Sequence, residues 1–157
     1  MMKWLFLAGA AAVLAGCAGA LGGREDRITS EVDQSVREAE SRAQLSRTLS
    51  SLAKLEEALT ASIKREGRVP ESLDQLIPRY LAEIPPVELG VSGHSDSALV
   101  RNYPPGVLRA GQIDGSQLRD TGRWGYVHND RQVVVFIDCT HKSALAGKPW
   151  YQVRTGF

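Results

Sequence analysis

The sequence predicts an α+β fold: a long N-terminal amphipathic helix packed on a small antiparallel β-sheet. Three observations carry this expectation. Residues 28–66 contain neither proline nor glycine and bear a stripe of leucines. Four prolines then crowd residues 70–86, too close together for any long element. Beyond about residue 98 the apolar period shortens from that of a helix to the alternation of strands. One helical run followed by consecutive strands is the pattern of an α+β domain.

The helix reads as two halves. Ile28, Val32, Val36, Ala39 and Ala43 recur at spacings of three and four but make only a thin apolar row. Leu45, Leu49, Leu52, Leu55, Leu59 and Ile63 form the stronger stripe that must face a core. Lys64 and Arg65 suit the negative end of the helix dipole, and Gly67 suits a left-handed C-terminal residue. Residues 67–97 follow as a loop region, with Leu73, Leu76 and Ile77 as a short apolar turn and Tyr80, Leu81 and Ile84 ahead of Pro85-Pro86. Residues 98–153 form the sheet region. Arg123–His128 and Gln132–Asp138 alternate and are rich in β-branched and aromatic residues, and Asn129-Asp130-Arg131 supplies a turn, so the two read as a hairpin. Leu99–Asn102, Val107–Ala110 and Trp150–Val153 are weaker strand candidates.

Ahead of this domain lies Lys3 and then an uncharged apolar run, Trp4 to Ala15, too short to be a stable transmembrane helix. It ends in Leu14-Ala15-Gly16-Cys17, which resembles the lipobox of bacterial lipoproteins. The resemblance implies that residues 1–16 are a signal peptide and that Leu14, Ala15 and Gly16 are read by the signal peptidase. Cys17 then carries the lipid, and residues 17–27 are a tether rich in small residues. Each buried CH₂ contributes about 0.8 kcal/mol, and about two acyl chains suffice for stable attachment. Ala18 rather than an aspartate follows the cysteine. By the best-known sorting rule, that implies a periplasm-facing anchor in the outer membrane rather than the inner.

Removing residues 1–16 takes away Lys3 alone among the charges and leaves acidic and basic residues in balance. A balanced domain is not built for nucleic acid, which calls for a basic excess. The chain has two cysteines. With Cys17 acylated, Cys139 has no partner for an internal disulfide, so the apolar core must hold the fold.

The later landmarks occur in a telling order: Leu52-x-x-Leu55-x-x-Ala58-Leu59, Gly67-x-Val69-Pro70, Leu73-x-x-Leu76, Tyr80-Leu81-x-x-Ile84-Pro85, then Thr121-Gly122-Arg123-Trp124-Gly125-Tyr126. This order resembles the bacterial type II secretion pseudopilins over roughly Leu45 to Val153. The resemblance implies a pilin-like domain over residues 28–157, with Gly67, Pro70, Pro85, Gly122, Trp124 and Tyr126 as its structural marks. It does not extend to the N-terminus, where a lipobox stands in place of the prepilin-peptidase site and the uncut helix that builds the fibre. The family's turn after isoleucine-proline is also altered, here to Pro86-Val87-Glu88-Leu89-Gly90.

Candidate chemistry centres on Asp138-Cys139-Thr140-His141-Lys142. Side chains two apart on a strand share a face, and a basic histidine beside a cysteine supplies thiolate. The plainer reading is a small buried cysteine and a strand-end histidine. A zinc site from Cys139, His141 and either His128 or His94 is a further idea, without the close ligand spacing of dedicated zinc sites. Calcium needs six or more hard oxygens. Asp114 and Asp120, in the Gly111–Gly122 loop, are weak calcium candidates, with Glu88, Asp96 and Asp138 elsewhere. Solvated turn aspartates are again the plainer reading, so neither a metal nor another cofactor is expected. Trp124, Tyr126, Trp150 and Tyr151 read as sheet-face core rather than as a recognition surface.

The expectation is therefore a membrane-anchored, non-enzymatic envelope lipoprotein with a pseudopilin-like interaction domain, associated with a type II secretion or pilus-like machine. The alternatives are a calcium- or ligand-binding envelope module, and a thiol enzyme or redox sensor built on Cys139 and His141.

Overall fold

The computed structural model describes residues 19–143 and 147–155. Leu14, Ala15, Gly16 and Cys17 lie outside the described residues. The chain divides into two units, Met1–Arg37 and Glu38–Phe157. Helix α1 spans Gly19–Glu66. It therefore includes residues 19–27, which the composition marks as tether. Once a helix is nucleated, each further residue adds a hydrogen bond, and glycine weakens propagation without forbidding it. Among the described residues no helix is long and apolar enough to cross a membrane.

In the first unit, Ile28, Val32 and Val36 are 53%, 55% and 50% exposed. In the second unit the same helix behaves differently. Leu52, Leu55, Ala58 and Leu59 are buried, with Leu45, Leu49 and Ile63 packed at the margins. The helix ends as its sequence requires. Gly67 takes φ +69° and donates its N–H to the Ile63 carbonyl at 2.9 Å.

The second unit is α+β. Its principal sheet holds β1 (Val100–Asn102), β4 (Arg123–His128) and β5 (Val133–Asp138), in the order β1-β4-β5. β4 and β5 form the expected antiparallel hairpin, from Arg123 opposite Asp138 to His128 opposite Val133. Asn129 closes the turn, its Oδ1 accepting from the N–H groups of Arg131 and Gln132 at 2.9 and 2.8 Å.

Two expectations about the sheet are corrected. It is mixed rather than antiparallel, because β1 lies parallel to β4 with Val100 opposite Trp124. A parallel pair needs a crossover of a dozen or more residues. Residues 103–122 supply it, and they carry a separate hairpin of β2 (Leu108–Arg109) and β3 (Gln112–Ile113). The second correction concerns Trp150–Val153, where a 3-10 turn over Trp150–Gln152 replaces the expected strand. Trp150 and Val153 are both buried in the same cluster. A spacing of three places them on one side of a 3-10 turn, whereas strand alternation would split them.

Alternation on β4 and β5 separates two cores. Trp124, Tyr126, Val135 and Ile137 face the helix residues, Leu73 and Leu76. Val127 and Phe136 face the other way, onto Val107 and Ile113. The Phe136 ring lies over Gly125, where an added Cβ would come within 2.3 Å of it. Both cores are aliphatic and aromatic, the arrangement expected of Trp124, Tyr126 and Trp150, while Tyr151 packs at the edge of the second.

Candidate metal centre

The aromatic tips of β4 reach back into the proline-rich region. The Trp124 indole Nε1–H donates to the Pro85 carbonyl at 2.7 Å, and the Tyr126 hydroxyl donates to the Pro70 carbonyl at 2.5 Å. Burial pushes the Tyr126 phenol up to about 12, so it remains a donor throughout the neutral range. Four of the sequence landmarks are thus joined in pairs, and residues 67–97 are drawn along the sheet.

That path delivers His94 to the end of the sheet. Val91 and His94 close a turn through a 3.1 Å backbone hydrogen bond, and Val87 and Ser97 bridge its base. The imidazole of His94 lies against Gly122, whose φ is +69°. A Cβ there would fall 2.6 Å from His94 Cγ, so only glycine admits the ring. The landmark glycine of Thr121-Gly122-Arg123 therefore has a local task that its motif did not reveal.

Asp120 precedes this glycine and also adopts a left-handed conformation, with φ +54°. Two contacts hold it there. Its N–H donates to Asp138 Oδ1 at 3.2 Å, and its own Oδ1 accepts from the Thr140 N–H at 2.7 Å. Asp138 is fully buried and also receives the Thr121 N–H and hydroxyl at 3.3 and 2.6 Å. Burial works against the charge on Asp120. Hydrogen bonds from Thr140 and the neighbouring His141 and His94 outweigh it and hold the carboxyl below its ordinary value.

Cys139 and His141 complete the group just beyond β5. Cys139 Sγ lies 3.5 Å from His141 Nδ1, and that nitrogen lies 3.5 Å from Asp120 Oδ2. His94 Nε2 is 3.4 Å from Asp120 Oδ1, and the two imidazoles meet edge to face with centroids 5.1 Å apart. One ligand atom from each of His94, Asp120, Cys139 and His141 falls within 4.8 Å of all the others. The 3.4 Å approach of His94 to Asp120 is close enough for an ion pair. It does not meet hydrogen-bond geometry, and His94 Nε2 remains a buried nitrogen without a hydrogen-bond partner.

Burial, reinforced by the charges of Asp120 and Asp138, pushes the Cys139 thiol up to about 12. A free thiol so placed is protonated near neutrality, the opposite of what a nucleophile requires. His128, the other histidine of the zinc idea, is not in the group; its ring packs against Tyr126.

The calcium candidates are not brought together. Asp114 caps the 3-10 turn Gly115–Gln117, accepting from the Ser116 N–H and hydroxyl and from Gln117 Nε2, and it pairs with Arg109 at 3.0 Å. The Ser116 and Gln117 hydrogen bonds lower its pKa. Asp120 belongs instead with the histidines and the thiol, a group that does not contain Asp114. All four members of this cluster are named among the sequence candidates, three of them together as one form of the zinc idea. That idea joins Cys139 and His141 to either His94 or His128, and the structure brings in His94. Asp120, read from the sequence as a calcium candidate, is the member left out, because only the turn at Gly122 sets it beside His94.

Compared with known proteins, the chain matches no family model, no curated relative and no solved structure.

Proposed function

We propose that this protein is a lipid-anchored envelope protein with a non-catalytic, pseudopilin-like interaction domain that serves a type II secretion or pilus-like assembly. Cys17 is the anchor and the outer membrane its place. The observation that carries the interaction reading is the row Ile28, Val32 and Val36, spaced one helical turn apart and each at least half exposed. Such a row gains from a second helix, so the partner is an envelope protein presenting a complementary apolar helix face. The pilin-like part of the reading is supported by the helix stripe on the sheet and by the Trp124–Pro85 and Tyr126–Pro70 contacts between landmarks.

The test is recovery of partners from gently solubilised envelopes, with mass spectrometry of the mature N-terminus alongside. The expected result is a lipid-modified Cys17 and a secretion or pilus component that Val32→Asp no longer recovers. Failure to recover such a component, together with normal secretion in a deletion strain, refutes the link to a machine. An intact Met1 refutes the anchor.

A further inference from the structure

We propose that His94, Asp120, Cys139 and His141 form a structural site for one divalent transition-metal ion of the zinc class, stapling the loop of residues 90–97 to the end of β5. This goes beyond the envelope reading and does not depend on it.

Donor chemistry selects the ion. Two imidazoles, a thiolate and a carboxylate suit zinc, whereas calcium and magnesium take oxygen. The distances suit it equally. With bonds of about 2.0–2.1 Å to nitrogen or oxygen and about 2.3 Å to sulfur, the ligands of a tetrahedral zinc stand roughly 3.3–3.7 Å apart. The three neighbouring separations are 3.4 Å from His94 Nε2 to Asp120 Oδ1, 3.5 Å from His141 Nδ1 to Asp120 Oδ2 and 3.5 Å from Cys139 Sγ to His141 Nδ1. Those values lie near the edges of a coordination tetrahedron, and the wider pairs of the group, all within 4.8 Å, close in as the ion binds.

The second line of support is independent of the spacing. The His94 side chain is only 7% exposed, and its Nε2 points at Asp120 without a hydrogen-bond partner. A buried polar atom left unsatisfied is costly, and native structures rarely tolerate one without a reason. A metal ion removes the cost by taking the nitrogen lone pair directly.

The surroundings behave as an outer shell. Thr140 N–H holds the Asp120 carboxylate, Asp138 holds the Asp120 backbone, and Gly122 gives His94 its seat. The His141 side chain is 48% exposed and offers an entry path. Four protein ligands and no open position mark a structural rather than a catalytic centre. On binding, Cys139 gives up its thiol proton to solvent and ligates as thiolate.

The experiment uses the full chain, without an affinity tag and carrying Cys17→Ser, so that Cys139 is its single thiol. The protein is purified in mild detergent, stripped with a chelator and titrated with cobalt(II) alone, then with zinc. One cobalt per chain is expected, with a thiolate-to-cobalt charge-transfer band in the near ultraviolet and intense tetrahedral bands in the visible. Zinc displaces both. His141→Ala weakens binding at least about 100-fold, beyond the loss typical of outer-shell changes. His128→Ala leaves binding unchanged. Absence of the thiolate band in this otherwise unaltered chain overturns the proposal whether or not any variant folds. So does equal loss in His128→Ala and His141→Ala, which would mean dispersed surface binding.

Discussion

The Tyr126 hydroxyl offers a clean measure of what fastens the proline-rich region to the sheet. Tyr126→Phe deletes one oxygen, leaves the ring packing in place, and removes the donor from the Pro70 carbonyl. Tyr126 is 1% exposed and Pro70 is also buried, so water cannot substitute freely. A hydrogen bond of this kind contributes about 1 kcal/mol net, and a buried carbonyl left unpaired costs about 1–3 kcal/mol. The expected loss is therefore about 2 kcal/mol. At roughly 4 °C per kcal/mol for a domain of this size, Tm falls by about 8 °C.

Tyr80→Phe is the internal control. Its hydroxyl meets Glu66 at 3.1 Å in an exposed setting, where the expected change is within about 0.5 kcal/mol. Denaturant unfolding at neutral pH compares the two. The pH dependence supplies a second reading. Folding raises the Tyr126 pKa from 10.0 to about 12, so the folded state favours the neutral phenol. The stabilisation is fully present below about pH 10 and is lost as pH rises through about 12, a decline of about 2–3 kcal/mol in all. The phenylalanine variant has no such loss, so the gap between it and the unaltered chain narrows above pH 10. A Tyr126→Phe change no larger than that of Tyr80→Phe, with a gap that stays constant into alkali, refutes the reasoning.

Three further outcomes follow from the same contacts. Gly122→Ala drives a Cβ into the His94 ring and strains a left-handed residue, while Gly67→Ala meets nothing within 4 Å. Thermal melts are expected to show a loss of about 1 kcal/mol at Gly67 and roughly 2–4 kcal/mol at Gly122, and comparable losses would argue against the His94 seat. Thr48→Val removes a fully buried hydroxyl that donates to the Glu88 carbonyl at 2.6 Å and accepts its N–H at 2.8 Å. Urea unfolding is expected to show a loss of about 2–3 kcal/mol, and a neutral result would place residues 86–90 off the helix. Cys139 is expected to resist thiol reagents in the native chain and to react on denaturation, and rapid native labelling would revive the thiol-enzyme reading.

The parts of the fold that were legible in the sequence are those set by local period. The helix stripe from Leu45 to Ile63 and the hairpin of Arg123–His128 with residues 133–138 each follow from repetition within a few residues. Long-range order was not legible. Nothing in Leu99–Asn102 specifies a parallel partner, because the direction of pairing depends on how a twenty-residue connection returns. The β2–β3 hairpin was hidden for a local reason. Its turn residues Ala110 and Gly111 have φ +49° and +79°, and alanine is not the residue that usually announces such a turn. Trp150–Val153 has strand composition, but its two buried residues are three apart rather than two.

The cluster at the sheet end shows how the same limit applies to chemistry. Cys139 and His141 are two apart in sequence, but both lie beyond the end of β5, so they meet through the turn that follows the strand and not through the strand alternation expected of them. Their other two companions arrive by separate routes: His94 through the fastening of residues 67–97 to Trp124 and Tyr126, and Asp120 through a left-handed residue held by Asp138 and Thr140. Pro70, Pro85, Gly122, Trp124 and Tyr126, the structural marks of the family resemblance, therefore position the one group of metal-ligating side chains found among the described residues. A perturbation of Tyr126 should then loosen His94 as well as the core. The coupling is measurable: Tyr126→Phe should weaken cobalt binding while leaving the thiolate band of the saturated protein unchanged in position. A shift in affinity with an unaltered spectrum would separate the path that delivers His94 from the ligands that hold the ion, and an unchanged affinity would show the two to be independent.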